Sequence, residues 1–529
     1  MKLMRYSPAA LALSLCLSAP VLAGEITCSD TELPDGFNGA NAPPLIVPTV
    51  GTWRGGDGST QLTAGSHIRI DDMNNAALLH QAQLFQAQLQ HISGLKLDIA
   101  GSDGQAAKPG DILLSLSSCS GTTAAATDEG YTLAIGQGIT LRASRASGLF
   151  YATQSLLQIA TLQQNHATLP RGYIADTPRY RERSIMFDVG RKFASVDFLT
   201  AYIKFMGWYK LNTLHLHLND QALDANKQWG LRAFRLKSDN PAFAGLIPAD
   251  NQYYTRQDWD KLEQVAADYG VRIVPEIDSP GHSGAFLLAN PDIAYTGDNP
   301  PGGTIDPTRP ETLAYIKTVF DEFLPWFRSP VVHLGGDEVN VNNGSIPVSK
   351  QVSFLNDLAH YVQSKGKTVQ MWGDQSYLPT LDKNVWIQRW INWGSEASIN
   401  WQQKGYRWTE SYGDWYIVPM TTLAYFNPNG LTGERVYNKW PANAVNPPIG
   451  AQIAVWNDNA LTKKYTWDQD VNRLLSDAIP AAGQIFWRGK AQDAQGQTLD
   501  YSSLRPSVGK LQYGPDVTRF SAAPLAGSK

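Results

Sequence analysis

The stretch Val331-Val332-His333-Leu334-Gly335-Gly336-Asp337-Glu338 is the clearest sign of the fold in this chain. Its β-branched beginning predicts a buried strand, and the two glycines allow a sharp turn where that strand ends. Two adjacent carboxylates, Asp337 and Glu338, follow on a loop at a strand end, where functional residues are common. The pair fits two interpretations, a cap on the next helix or a catalytic pair. The remainder of the chain favours the second.

Short apolar strands alternate with helical segments from Arg183 onward. The predicted strands are 184–189, 213–218, 272–277, 331–336, 368–372, 385–390, 406–411 and 452–456. The predicted helices are 196–210, 256–269, 310–327, 350–365 and 468–481. Eight strands that alternate with helices over roughly 340 residues predict an α/β fold, a (β/α)8 TIM barrel with insertions. A doubly wound open sheet is the alternative, although no G-x-G-x-x-G or phosphate-loop motif supports it.

A small α+β domain is predicted for residues 24–176, which leaves residues 177–529 for the catalytic barrel. Its predicted helices are 76–92, which ends at Gly94, and 147–162. Its predicted strands are 111–117, 131–135 and 138–143. Asp176-Thr177-Pro178 is the predicted linker, because the proline restricts the residue before it to extended conformations.

Residues 1–23 have the pattern of a secretory signal peptide. Lys2 and Arg5 precede an apolar stretch at 9–17, and small residues stand before Gly24. The stretch is too short for a membrane span, so we expect export to the periplasm or the medium without a membrane anchor. Loss of the two cations takes the formal net charge from −4 to −6. This mild acidity, without a basic run, argues against a nucleic-acid partner.

Two cysteines, Cys28 and Cys119, remain once the signal peptide is removed. In an oxidising compartment they predict one disulfide. No third cysteine is left in the sequence to act as a nucleophile or a thiolate metal ligand.

Acidic, basic and aromatic residues stand at the ends of nearly all the predicted barrel strands. They are Asp188, Arg191, His217, Asp220, Glu276, Asp278, Asp337, Glu338, Trp372, Asp374, Trp390, Trp456 and Asp458. Active sites of barrels form at this end of the strands, so we expect these side chains at one rim. Tryptophan faces stack on sugars while acids and arginine bind hydroxyls, so the rim predicts a carbohydrate site. Each tryptophan taken singly also fits a place in the core.

His215 and His217 suggest a second kind of chemistry. An H-x-H pair on a strand places both imidazoles on one face, as metal-dependent amidohydrolases require. That interpretation needs further ligands at later strand ends, where His282 and His333 are the histidines available. A satisfied core histidine is the alternative for His215.

Adjacent carboxylates also constrain the mechanism. Retaining glycosidases commonly use two carboxyl groups about 5–5.5 Å apart on opposite sides of the bond. Successive strand residues point to opposite faces, so Asp337 and Glu338 are poorly arranged as such a pair. If one of them is the acid, a 2-acetamido group of the substrate is a candidate for the nucleophile.

With these residues in view, the barrel resembles glycoside hydrolase family 20, the β-N-acetylhexosaminidases. The similarity runs from about residue 183 to residue 458 and depends on four motifs in order. They are FDVGRKF at 187–193, LHLHLND at 214–220, PEIDSPGH at 275–282 and HLGGDEV at 333–339. The preceding domain is similar to the α+β domain that commonly precedes this barrel.

The resemblance implies a role for each matching residue. Glu338 is expected to be the general acid and base, and Asp337 to hold the acetamido N–H so that its carbonyl oxygen attacks C1. Asp220 and His282 are expected to support the acid by hydrogen bonding. The substrate-binding residues implied by the family are Arg191 for the sugar hydroxyls, Trp372, Trp390 and Trp456 as aromatic walls, and Tyr416 as donor to the acetamido oxygen, with Tyr412 as its competitor. We therefore expect no cofactor or metal, and an oligosaccharide or glycoconjugate as the partner.

Two positions depart from the family pattern. Val418 stands where the family commonly has Asp, and Asp458 stands where it tends to have Glu. These differences predict a pocket of altered depth at the far hydroxyls of the sugar. Parts of the barrel resemble the subgroup that contains lacto-N-biosidases, so release of a disaccharide stays open beside release of one N-acetylhexosamine. A catalytically silent glycan-binding barrel is a third hypothesis.

Overall fold

The computed structural model describes residues 37–117, 128–298, 300–339, 346–373, 380–392, 399–441, 448–520 and 522–525. The predicted signal peptide at 1–23, the two cysteines Cys28 and Cys119, and Asp374 lie outside these residues. None of the described helices is long and apolar enough to span a membrane.

The first part of the chain forms a seven-stranded mixed sheet with two helices. In chain order its elements are β1 (Thr52–Gln61), β2 (His67–Ile70), α1 (Ala76–Ser93), β3 (Asp98–Gly101), β4 (Ile112–Leu116), β5 (Tyr131–Ile135), β6 (Ile139–Ala143), α2 (Ala146–Leu162) and β7 (Thr168–Asp176). The strand order across the sheet is β1-β7-β5-β6-β4-β2-β3. Gly94 ends α1 with a φ of 75°, as its position in the sequence predicts.

The prediction missed β1, β2, β3 and β7, and the burial of β1 explains why that strand was missed. Strand β1 is mostly exposed and contains several glycines and polar residues, so it shows no apolar alternation. It is held by pairing with β7, where Gly172 leaves room for Trp53 because a Cβ at Gly172 would lie 2.1 Å from the indole ring. Such pairing between distant segments leaves no local pattern.

The rest of the chain is built on a closed parallel barrel. Its strands and one hairpin are β8 (Glu182–Asp188), β9 (Thr213–His217), β10 (Asn219–Leu223), β11 (Trp229–Phe234), β12 (Arg272–Glu276), β13 (Val331–His333), β14 (Thr368–Trp372), β15 (Trp386–Arg389), β16 (Arg407–Glu410), β17 (Tyr416–Ile417) and β18 (Gly450–Val455). The order β16-β15-β14-β13-β12-β9-β8-β18 is closed by the pairing of β16 with β18. The predicted TIM barrel is confirmed and the open sheet is wrong.

Helices cover the outside of the barrel. They are α3 (Val196–Trp208), α4 (Arg256–Asp268), α5 (Phe286–Ala289), α6 (Pro310–Phe323), α7 (Val348–Ser364), α8 (Gly433–Lys439), α9 (Asn472–Leu475), α10 (Ala478–Trp487) and α11 (Tyr501–Leu511). Ser195 caps α3 through its side chain, and Thr255 with Asp258 forms a capping box on α4. The single helix predicted for 468–481 is divided into a π-helical turn, α9 and α10.

Buried ion pairs join the two parts of the chain. Arg183 at the start of β8 donates to Glu129 over 2.7 Å. Lys210 is fully buried, and its ammonium donates to Tyr131 Oη over 2.7 Å and to Asp176 Oδ2 over 3.2 Å. These contacts lie at the end of the barrel opposite the strand ends that carry the predicted site.

Candidate active site

The turn after β13 brings the two adjacent carboxylates to the rim. The strand ends at His333, three residues earlier than predicted, because Gly335 and Gly336 have φ values of 70° and 98°. A Cβ on Gly335 would lie 1.7 Å from Asp278 Oδ1, so only glycine fits there. Glu338 itself has a φ of 52°, an unusual value for a residue with a side chain.

Both carboxylates face one imidazole. His282 Nε2 lies 3.4 Å from Glu338 Oε2 and 3.8 Å from Asp337 Oδ2. The prediction from strand alternation, which set the two acids on opposite faces, is therefore wrong, because they follow the strand instead of continuing it. Their exposure differs: 42% of the Glu338 side chain is accessible but only 10% of the Asp337 side chain. Glu338 is open to the cleft, and Asp337 is enclosed.

A chain of ion pairs leads from His282 into the protein. His282 Nδ1 lies 3.1 Å from Asp220 Oδ1, and Asp220 Oδ2 lies 2.8 Å from Arg191 Nη2. Arg191 is held from the other side by Asp188, whose Oδ2 lies 3.0 Å from Arg191 Nη1. The hairpin of β10 and β11, which the sequence did not predict, begins at Asn219 and carries Asp220 on its first strand.

Three tryptophans and a tyrosine form an aromatic pocket next to these acids. Trp372, Trp456 and Tyr416 lie with their rings in contact, at centroid distances of 5.6 Å between the tryptophans and 5.9 Å between Trp456 and Tyr416. Trp390 packs on the same cluster. The Arg191 guanidinium lies 5.7 Å from the centre of a Trp456 ring, which connects the pocket to the ion pairs.

The two tyrosines that competed for the acetamido oxygen lie in different surroundings. Tyr416 is 4% exposed within the aromatic pocket, and its hydroxyl has no hydrogen-bond partner among the described residues. Tyr412 packs on the main core with the Arg389 guanidinium 4.5 Å from its ring centre. The structure therefore brings Tyr416, and not Tyr412, to the tryptophan walls.

The two positions that depart from the family pattern lie beside this pocket. Val418 is buried, and its backbone N–H donates to the Phe426 carbonyl over 2.9 Å. Asp458 is exposed, two residues beyond Trp456. Between them Asn457 is buried and donates to the backbone and side chain of Asp188.

Burial and charge separate the pKa values of the two adjacent acids. Burial raises the pKa of Asp337 to about 7, and the charge of Glu338 adds to the increase. Partial burial also acts on Glu338, but contact with the His282 imidazolium outweighs it and lowers the pKa of Glu338. Burial disfavours the His282 cation, yet Asp220 and Asp337 raise the pKa of His282 well above its usual value.

Comparison with known proteins identifies the family to which this arrangement belongs. Residues 180–423 match the model of the glycosyl hydrolase family 20 catalytic domain, and residues 43–177 match domain 2 of the same family. The chain belongs to glycoside hydrolase family 20. It is thus a glycoside hydrolase, and the amidohydrolase interpretation is overturned.

Relatives of this family 20 enzyme have two kinds of name. A lacto-N-biosidase of Bifidobacterium bifidum is 24% identical over 91% of this chain, which spans 43% of that protein's length. A β-N-acetylhexosaminidase of Cellulomonas fimi is 28% identical over 80% of this chain and 86% of its own. Among solved structures, the family 20 β-N-acetylhexosaminidase of Streptomyces coelicolor is 25% identical, with a TM-score of 0.71 over 91% of this chain and 98% of its own.

Residues of the family 20 site that the sequence prediction left without a role lie deeper in the barrel. Glu276 at the end of β12 is fully buried and contacts His215, His217 and His333 at distances of 2.8–3.1 Å. Asp278 accepts the Gly336 N–H over 3.0 Å, and burial together with the charge of Asp337 raises its pKa well above the usual value. The sequence did contain a signal for these residues, the motifs H-x-H at 215–217 and E-x-D at 276–278. Alternate residues of a strand share a face, so such a pair places both side chains on the same side.

Several groups of acids and histidines are compact enough to surround a cation. They include His215, Glu276 and His333, and also Asp278, His282 and Asp337, with ligand atoms within 4.8 Å of one another. In the first group Glu276 Oε2 already lies 3.0 Å from His215 Nε2 and Oε1 lies 3.1 Å from His333 Nδ1. These side chains pair with one another in the described structure.

Proposed function

We propose that the protein is an exported β-N-acetylhexosaminidase that removes terminal β-linked GlcNAc or GalNAc from glycans with retention of configuration. One observation carries this proposal. Asp337 Oδ1 and Tyr416 Oη are both buried without a hydrogen-bond partner among the described residues, beside a pocket walled by tryptophans. Buried polar atoms of this kind are rare unless a ligand or water pairs with them.

An acetamido group complements the two atoms. Its N–H would donate to Asp337 Oδ1, its carbonyl oxygen would accept from the Tyr416 hydroxyl, and its methyl group would contact the indole walls. Asp337 and Tyr416 interact electrostatically, since burial and then the Asp337 charge raise the pKa of Tyr416. A sugar with a 2-acetamido substituent therefore satisfies both atoms at once, as a 2-hydroxyl sugar does not.

The proposed reaction has two steps. The acetamido oxygen attacks C1 while Glu338 gives its proton to the leaving oxygen, so that the glycosidic bond breaks and an oxazolinium ion forms. Water then attacks C1, the ring opens, and Glu338 recovers a proton from that water. Two inversions at C1 give net retention. An acetamide N–H bound to Asp337 favours the ionised form of that acid, which leaves the proton that the pair needs on Glu338.

His282 and Asp220 are proposed to control the protonation state of Glu338. The His282 cation between Asp220 and Glu338 stabilises the carboxylate that forms after proton donation. Asp220 in turn has a pKa far below its usual value, because Arg191 and His282 outweigh its burial. These groups therefore keep fixed charges around the one proton that moves.

Export is proposed from the signal-peptide pattern of residues 1–23. Expression of the full gene product should place activity in the periplasm or medium, with a mature chain that begins at Gly24. Activity confined to the cytosol, with Met1 retained, would contradict it. Mass spectrometry of the same material without reductant tests the disulfide between Cys28 and Cys119.

Hydrolysis of p-nitrophenyl β-GlcNAc with NMR observation of the released sugar tests the main proposal. We expect p-nitrophenol release and β-GlcNAc as the first anomer formed, in the presence of EDTA as in its absence. First appearance of the α-anomer, or no hydrolysis at all, would contradict the proposed reaction. A silent glycan-binding barrel predicts the second of these outcomes.

A lacto-N-biosidase is the second candidate function, and two residues at the rim of the pocket support it. Val418 and Asp458 are shorter or less acidic than the residues common in the family at these positions, and Asp458 is exposed. The relative from Bifidobacterium bifidum carries that name. Parallel assays with p-nitrophenyl β-GlcNAc and p-nitrophenyl β-lacto-N-bioside separate the two, because the preferred substrate should have the higher kcat/KM by at least about tenfold.

A further inference from the structure

Glu276 lies below the aromatic pocket and contacts both halves of the site. It ends strand β12, where it is level with His217 on one neighbouring strand and His333 on the other. Its side chain is fully buried. The proposed reaction gives it no step. A buried carboxylate without such a function is costly, so its partners need to be accounted for.

The two oxygens of Glu276 serve different sides of the site. Oε1 accepts the indole N–H of Trp372 over 2.7 Å and lies 3.1 Å from His333 Nδ1. Oε2 lies 2.8 Å from His217 Nδ1 and 3.0 Å from His215 Nε2. One oxygen thus fixes a wall of the pocket, and the other starts a chain of charged groups.

That chain continues to the catalytic acid. His217 Nε2 lies 2.7 Å from Asp220 Oδ2, Asp220 Oδ1 lies 3.1 Å from His282 Nδ1, and His282 Nε2 lies 3.4 Å from Glu338 Oε2. Each link joins groups of opposite charge when the histidines are protonated. A shift of Glu276 would therefore be passed to the imidazole that contacts Glu338.

We propose that Glu276 is a positioning residue that holds Trp372 in the wall of the acetamido pocket and, through His217 and Asp220, holds His282 beside Glu338. The role depends on the proposed function, since it assigns Trp372 to an acetamido group. Shape at that wall decides which N-acyl groups fit. Loss of the carboxylate should therefore change selectivity as well as rate.

Glu276→Gln tests this role, because it keeps the volume of the side chain but removes the charge and one of the two acceptor atoms. The remaining oxygen can accept either from Trp372 or from a protonated histidine, but the amide nitrogen cannot accept from the other. The readout is kcat/KM for p-nitrophenyl β-glucosaminides that carry N-acetyl or N-propionyl groups. In the wild type one extra methylene should cost roughly 10- to 200-fold, and in the variant we expect that ratio to fall to a few-fold. We also expect kcat for the N-acetyl substrate to fall on the order of 10- to 100-fold, as misplacement by about 1 Å does.

Glu182→Gln is the matched control. Glu182 is another buried acid of the barrel, but it begins β8, six residues before Asp188 and at the opposite end of the strand. The control should keep the wild-type N-acyl ratio. In a Trp372→Phe background Glu276→Gln should not lower the ratio further, because the wall that it positions is already changed. A further loss there would overturn the link to Trp372.

If folded Glu276→Gln keeps the wild-type ratio of N-acetyl to N-propionyl kcat/KM, the proposed role of Glu276 is overturned. It is also overturned if Glu182→Gln lowers the ratio equally, because that would show a general loosening of the barrel. If Glu276→Gln does not fold, Glu276→Asp replaces it. The shorter acid keeps the charge but cannot reach partners on three different strands, so the ratio should fall again, and an unchanged ratio counts against the proposal. A wild type inactive on the N-acetyl substrate would instead defeat the proposed function.

Discussion

Two buried aspartates, one at each end of the barrel, show how differently the same side chain is used. Asp176 at the junction with the first domain accepts from Tyr131, Lys210 and Trp487 with Oδ2 and from the Gly51 N–H with Oδ1. Asp337 at the other end keeps Oδ1 buried without a hydrogen-bond partner among the described residues. The first acid is satisfied by the protein, whereas the proposed function pairs the Oδ1 oxygen of the second with the acetamide of the substrate.

The comparison extends to the cations and aromatic rings around each acid. Lys210 lies 4.6 Å from a Trp487 ring centre and contacts Asp176, so charge, hydrogen bonds and ring face are all used within the fold. Near Asp337 the Arg191 cation also lies over a ring, 5.7 Å from the centre of a Trp456 ring, but Asp337 Oδ1 has no hydrogen-bond partner among the described residues. The full pairing of Asp176 thus indicates a structural role, whereas Asp337 Oδ1, unpaired among those residues and beside an aromatic wall, indicates a binding site.

The largest effect should come from Glu338→Gln. We expect a loss of at least about 10³-fold in kcat on p-nitrophenyl β-GlcNAc, or about 4 kcal/mol of transition-state stabilisation, because proton transfer at both steps is lost. The loss in kcat/KM, which reports the first step, should shrink with 2,4-dinitrophenol as leaving group, because that group needs little protonation. A similar loss for both leaving groups would contradict the role of Glu338 as general acid.

Lys210→Met tests the structural junction around Asp176, the other region of the comparison. Removal of the cation leaves Asp176 buried without its charge partner, which should reduce the free energy of unfolding by about 3 kcal/mol. We expect a lower Tm but an unchanged kcat at a temperature where the variant is folded. A change in kcat with no change in Tm would show that this junction belongs to the site after all.

Tyr416→Phe and Tyr412→Phe form a matched pair. Loss of the Tyr416 hydroxyl should reduce kcat on the order of 10²-fold, comparable to removing one donor from an oxyanion site. Tyr412→Phe should change kcat less than about threefold, since that ring packs on the core away from the walls. Equal effects of the two substitutions would contradict the placement of Tyr416 at the acetamido oxygen.

A smaller effect is expected in the pH dependence of stability. Asp337 has a raised pKa of about 7, so the wild type loses stability as pH rises through that value while Asp337→Asn does not. The Tm of Asp337→Asn relative to the wild type should therefore increase from pH 5 to pH 8. Glu338→Gln should show no such trend over this range, because the pKa of Glu338 is lowered and the stability from its ionised form is lost only as pH falls below the usual value for a glutamate. The same trend in both variants would contradict the separation of the two pKa values.

The barrel could be predicted from the sequence, but details of its rim could not. Buried parallel strands leave apolar runs such as 213–217, and the predicted and observed bounds of that strand differ by one residue. The turn after His333 was predicted to continue the strand, because nothing local shows that Asp278 fills the space beside Gly335. The direction of Asp337 and Glu338 depends on that distant contact.

For the candidate site as well, the motifs could be predicted from the sequence but the packing around them could not. Order and spacing of motifs pointed to Asp220, His282, Asp337 and Glu338, which the structure brings together. The choice between Tyr416 and Tyr412 could not be made, since they are four residues apart and only tertiary packing distinguishes them. Glu276 was not singled out either, because its importance lies in contacts with three other strands.

The central claim is that Asp337 positions the acetamide of the substrate as the nucleophile while Glu338 moves the proton. Measurement of kcat/KM for p-nitrophenyl β-glucosaminides with N-acetyl, N-fluoroacetyl, N-difluoroacetyl and N-trifluoroacetyl groups tests it most directly. Fluorine weakens the carbonyl oxygen as a nucleophile, so we predict a steep fall along the series in the wild type. We predict a shallower fall in Asp337→Asn from a starting rate on the order of 10²-fold lower, since that variant has already lost a preorganised contact. Equal rates along the series in the wild type would contradict the claim.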